Sequence, residues 1–166
     1  AVQFVVWFTL PGLGMYWLMR AIVQGPYARA SCLTAVFFYM FNLWLLSNWM
    51  GYKEPLIAGV AILPFALGIW IRTFQQDDGY LRAVLATALV SLAAAPMGNN
   101  ITEMIAVAAV LPIVFIVVVI KCSVRGDLSQ AARIVVAGMA TVLAWVIVNL
   151  FWIIPVVGGV SRAASG

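Results

Sequence analysis

The chain has 166 residues, of which 66% are apolar and 8% charged, against about half and about a quarter in an ordinary soluble domain. A fold this small keeps much of its surface in solvent, so the apolar excess excludes a water-soluble globular protein and makes lipid the solvent. Nine Lys and Arg against five acids give a net charge of +4, but the charges sit between apolar runs, so nucleic acid is not an expected partner.

A helix needs roughly 20 apolar residues to cross a bilayer, or fewer where it packs against neighbours. Six stretches qualify: residues 2–19, 32–49, 56–71, 81–95, 104–120 and 134–154. Ala1 follows no Met and leads straight into the first run without a basic region, so the start reads as cut. The joints at residues 24–26, 51–55, 75–79, 96–100 and 125–127 each combine polarity with Gly or Pro. Irregular backbone is costly in hydrocarbon, which puts these joints at the interface as short hairpin loops. The expectation is an all-α fold: a polytopic membrane bundle of about six transmembrane helices, with residues 1–166 forming one transmembrane domain.

Basic residues near span ends are retained on the cytoplasmic side. Alternate joints carry Arg20, Arg29, Arg72, Arg82, Lys121, Arg125 and Arg133, whereas the others and the C-terminal tail carry Lys53 and Arg162. Both ends of the chain, and the loops near Gly51 and Asn99, are therefore expected on the outer face.

The chain has no His, which removes His-dependent triads, His metal sites and histidine proton switches. Cys32 and Cys122 are far apart and read as two membrane-face thiols. Inside the spans only polar residues carry information. Asn42, Ser47 and Asn48 suit hydrogen bonds across a helix interface. Asn149 would line an outward cavity or anchor at the headgroups, and Trp49, Tyr52 and Trp152 read as an aromatic belt. Asp77 and Asp78 form a carboxylate pair in sequence, but the surrounding Gln75-Gln76 and Gly79 favour a polar turn, with Asp78 or Gly79 helping to cap the next helix. Glu103 falls where a negative charge complements a helix dipole.

Lys53, Glu54, Asn99, Asn100, Glu103 and Arg162 gather on the expected outer face and form the candidate substrate-binding set. Lys53 and Arg162 suit a phosphate, and snorkelling to headgroups explains them equally well. No phosphate loop, dinucleotide fingerprint or nucleophile elbow is present.

The stretch from Gly14-Met15-Tyr16-Trp17 to Arg20, then Phe38-Tyr39-Met40-Phe41-Asn42-Leu43-Trp44, an outward turn and Leu63-Pro64, is similar to large prokaryotic membrane proteins of the YfhO-like group. It also resembles the mycobacterial arabinofuranosyltransferases of the C-type glycosyltransferase (GT-C) fold, as does the exit from Asn149 through Trp152 to Pro155. The resemblance implies a multi-pass protein of a prokaryotic cytoplasmic membrane that takes a sugar from a polyprenyl-phosphate carrier on the outer face. It implies membrane lipids, a lipid-linked sugar donor and other membrane subunits as partners. Its catalytic acid sits on a long external loop after the family's first helix. This chain would begin at the second, so no catalytic residue transfers to it, and Glu54 and Glu103 do not match that position. No cofactor signature is evident, and a divalent metal would belong to the complete protein. Two other readings compete: a noncatalytic scaffold subunit, and a transporter or flippase whose spans are interrupted by Pro64 and Pro112.

Overall fold

The computed structural model describes residues 2–42, 54–95 and 101–164, with side chains for 5–42, 57–95, 108–155 and 158. These residues form α1 (Val2–Ile22), α2 (Ala28–Met40), α3 (Glu54–Gln76), α4 (Tyr80–Leu92), α5 (Ile101–Val124) and α6 (Leu128–Ala164). Among the described residues there is no strand, and the architecture is all-α. Three segments are long and apolar enough to cross a membrane, Val5–Ile22, Ile57–Gln76 and Leu128–Pro155, while α2, α4 and the described part of α5 are shorter apolar helices.

Several boundaries differ from those expected. The second helix spans Ala28–Met40 instead of 32–49. Asn42 stands two residues beyond its end, exposed, and donates to the carbonyl of Tyr39 at 2.7 Å. An amide that bonds a local carbonyl competes with continuation of the helix, so Asn42 helps end α2. Ser47, Asn48, Trp49 and Tyr52 lie outside the described residues. The last helix extends to Ala164, so Arg162 is helical and not part of a tail.

Pro64 and Pro112 were expected to interrupt their spans, yet both lie inside unbroken helices. For Pro64 the reason is visible. Proline has no N–H to give the carbonyl four residues back, which is that of Val60, and the Tyr39 hydroxyl of α2 donates to this carbonyl at 2.6 Å.

The helices pack around α3. One side of α3 takes α1, which also packs on α2; the other takes α4 and α5, with α6 closing onto both. Small residues permit the approach: a Cβ on Gly14 would come within 2.8 Å of the Phe65 ring, and one on Gly68 would collide with the Trp17 indole. Trp70 is fully buried and meets Phe115 edge-on at 4.6 Å, while Phe74 meets the same ring at 5.3 Å.

Both cysteines turn inward, at 0% exposure for Cys32 and 6% for Cys122, which corrects the expected membrane-face placement. A thiol behaves as a small apolar group that fills gaps in packing, and Cys122 also donates to Gln130 Oε1 at 3.1 Å.

The α3–α4 and α5–α6 turns lie at one end of the bundle with Arg20, Arg29, Arg72, Arg82, Lys121, Arg125 and Arg133, hereafter the basic end. Gly79 and Gly126 adopt φ of 74° and 80° there, the left-handed region that lets a chain reverse tightly. Arg133 of α6 reaches Asp77 Oδ2 at 3.0 Å and ties the two hairpins together.

Replacing Tyr39 with Phe leaves the Val60 carbonyl without a partner. We expect a loss of about 1–3 kcal/mol, measurable as a lower unfolding temperature in detergent, with little effect from Tyr16→Phe as a control.

Candidate functional site: an apolar cleft between four helices

Helices α3, α4, α6 and α5 form a ring in which each packs on the next. Near the basic end the ring is filled by Trp70, Phe74 and Phe115. A Cβ on Gly138 of α6 would lie 3.0 Å from Phe115, so this glycine lets the ring seat there. Farther along, a cavity of about 980 Å³ opens, lined by Gly59 and Leu63 of α3 and Leu111 and Pro112 of α5 among others.

None of the described residues lining the cavity is charged. Ile116, Met139, Val142 and Leu143 lie along its rim and are well exposed, so the mouth opens through an apolar surface. In a bilayer that surface faces hydrocarbon chains. The polar groups in the wall are few. Asn149, 1% exposed, donates from Nδ2 to Ser91 Oγ at 3.0 Å and to the Trp145 carbonyl at 2.9 Å. Its Oδ1 accepts from Trp152 Nε1 at 2.8 Å. Ser91 in turn donates to the Ala88 carbonyl, and Thr141 donates to the Ala137 carbonyl. The Thr87 hydroxyl, also in the wall, is buried without a partner.

Asn149 lines this cavity, where its amide clamps α4 to α6 inside the wall. Trp152, expected in an aromatic belt, turns its indole N–H onto Asn149 and is half-buried. The pairing is favourable because an indole N–H placed in hydrocarbon without an acceptor is costly.

The residues selected from sequence fare differently. Lys53, Asn99 and Asn100 lie outside the described residues. Glu54, Glu103 and Arg162 fall on α3, α5 and α6, with their side chains outside the described residues. Chain direction places the starts of α3 and α5 at the end opposite the basic one, and the longer α6 runs on past them to Arg162. The structure also finds contributors that pattern reading passed over: Thr87, Ser91 and Trp145. A small polar residue on the Ala-rich fourth segment was the available signal for the first two.

Asp77 and Asp78 form a turn and do not act as a pair. Gly79 is the N-cap of α4 with no side-chain cap, and Asp78 accepts only from the adjacent Gly79 N–H at 2.6 Å. Asp77 has φ 48° and accepts from Tyr80 at 2.8 Å as well as from Arg133. The Tyr80 hydroxyl, then Gln130, then Arg133 hold its carboxyl below the usual carboxylate value, against a smaller opposing effect of burial.

Chemically, the cleft is suited to holding an apolar chain delivered from the bilayer. The described wall supplies hydroxyls and amides but no acid or base.

Asn149→Leu removes three hydrogen bonds and strands the Ser91 and Trp152 groups, so it should cost about 1–2 kcal/mol and lower the unfolding temperature. Because the Asp77 carboxyl is lowered in the folded state, its stabilisation is present above its unfolded value of about 4 and is lost as pH falls through the folded value. Asp77→Asn should therefore flatten the acid limb of an unfolding-temperature profile measured from pH 7 down to about 3. Comparison of the chain with family models, curated proteins and solved structures returned no match.

Proposed function

We propose that this chain is the membrane-embedded part of a glycosyltransferase that draws its sugar from a polyprenyl-phosphate carrier on the outer face of a prokaryotic cytoplasmic membrane. In this reading all six helices cross the bilayer, the basic end is cytoplasmic and both ends of the chain lie outside. The supporting observation is the uncharged cleft, open to the bilayer along its side and running toward the helix ends that carry Glu54, Glu103 and Arg162.

The isoprenoid tail occupies the cleft, which excludes it from water, and the phosphate sits at the outer rim. Lys53 and Arg162 hold that phosphate as it becomes the leaving group, a role that suits cations at the membrane surface. Asn99 and Asn100 contact the sugar, and Glu54 and Glu103 border the same site. The carboxylate that activates the acceptor hydroxyl is contributed from outside this segment.

A noncatalytic scaffold subunit is the second reading, favoured by the Asn149 clamp, whose donors are all engaged within the bundle. A flippase has less support, since α3 and α5 continue through Pro64 and Pro112.

The test is photolabelling of the complete protein with a polyprenyl phosphate bearing a diazirine in its tail. Labels should concentrate on Leu63, Leu111 and Thr141, and Gly59→Trp, which fills the cleft, should reduce them about tenfold, equivalent to about 1.4 kcal/mol. Lys53→Ala with Arg162→Ala should weaken donor binding by a similar factor. Labelling spread evenly over the exposed faces of α5 and α6, and unchanged by Gly59→Trp, overturns the reading.

A further inference from the structure

Arg72 lies one turn inside the basic end of α3, half-buried, with its guanidinium carbon 4.4 Å above the Trp17 ring of α1. One Nη2 donates to the Trp17 carbonyl at 3.2 Å, and Nε is buried without a partner. Among the described residues the one ion pair is Arg133–Asp77, which joins the α3–α4 turn to α6. A guanidinium removed from water without an anion is unfavourable, and cation–π stacking offsets only about 0.5–2 kcal/mol of that.

The surroundings lack the missing charge. The first 53 residues contain no Asp or Glu, so nothing on α1 or α2 neutralises Arg72, Arg20 or Arg29. Asp77, the acid nearest along α3, is engaged by Tyr80 and Arg133. Gln75 donates to the Ala21 carbonyl at 2.9 Å and fixes the end of α1 against α3. Arg20 is exposed in that last turn, three residues on from Trp17, a spacing that puts neighbours on the same helix face.

We infer that Arg72 and Arg20 form a binding site for the phosphate of an anionic phospholipid at the basic end of α1 and α3. The Trp17 stack and carbonyl fix the plane of the Arg72 fork, and a planar fork suits the oxygens of a phosphodiester. Arg20 adds the second cation from the rim. The depth fits, because the end of a spanning helix lies at the headgroup level. The acyl chains extend along the apolar face of α1 that leads up to Arg20, where Val6 and Leu13, spaced seven residues apart, stand exposed. Basic pockets between helices on one side of a membrane are a recurring form of anionic-lipid site. This site lies at the end opposite the proposed donor site and does not depend on it.

The test is native mass spectrometry of the full chain in detergent, titrated with phosphatidylglycerol, with phosphatidylcholine, and with inorganic phosphate as separate arms. The wild type should retain phosphatidylglycerol in preference to phosphatidylcholine. Arg72→Gln and Arg20→Gln should each reduce that preference about tenfold, Arg72→Lys should retain part of it, and Arg125→Gln, which removes the same charge from the other hairpin, should leave it unchanged. If Arg72→Gln fails to fold, the exposed Arg20→Gln carries the comparison. An equal loss in Arg125→Gln means unlocalised surface charge and overturns the site. So does an unchanged preference in Arg20→Gln and Arg72→Gln, or displacement of the lipid by inorganic phosphate at matched concentration.

Discussion

Within hydrocarbon, a carbonyl that loses its helical donor has no water to turn to, and Pro64 creates such a carbonyl at Val60. The Tyr39 hydroxyl supplies the missing donor from α2. The repair matters beyond its own hydrogen bond because α3 is the helix on which both sides of the bundle pack. A helix carrying a proline can act as a central post only where a neighbour completes its backbone. Here the completing group comes from the α1–α2 side, so the short second helix is needed for the integrity of the post that α4 and α5 share.

The two ends of the four-helix ring are held by different physics. At the basic end, the aromatic contacts of Trp70 and Phe74 with Phe115 fill the interior, and Asp77 receives both Tyr80 and Arg133 outside it. Toward the other end α4 and α6 are joined through Ser91 and Asn149 in the wall of the cavity. This geometry is compatible with a bound chain whose head projects past the helix ends, and it gives the glycosyltransferase reading a place for the donor tail.

Much of the architecture was legible in the sequence because the joints are chemically distinct: Gly25, Gly79 and Gly126 each mark a reversal, and the basic residues sort to one end. What could not be read was which face of each helix looks inward. In water an apolar stripe marks the buried face, but in lipid both faces are apolar, so Cys32 and Cys122 were placed on the wrong side. The cleft was hidden for the same reason, since its walls are made of the Leu, Ile and Val that also face lipid. Thr87, Ser91 and Asn149 were the only kind of signal available, and they acquire meaning only when α4 and α6 are seen side by side. The six residues chosen from sequence rested on loop charge, which reports the side of the membrane and says nothing of contacts between side chains.

The rim of the cleft, formed by Ile116, Met139, Val142 and Leu143, fixes the route by which any occupant arrives. A ligand entering there never leaves the membrane, so it finds the site by diffusion in two dimensions. Occupancy is then governed by the ligand's mole fraction among the surrounding lipids and by how readily those lipids vacate the groove. Ordinary acyl chains are therefore standing competitors, and selectivity must come from the headgroup region and from branched or rigid features of the chain. Changing bilayer composition alone would alter the apparent affinity without touching a single residue of the protein.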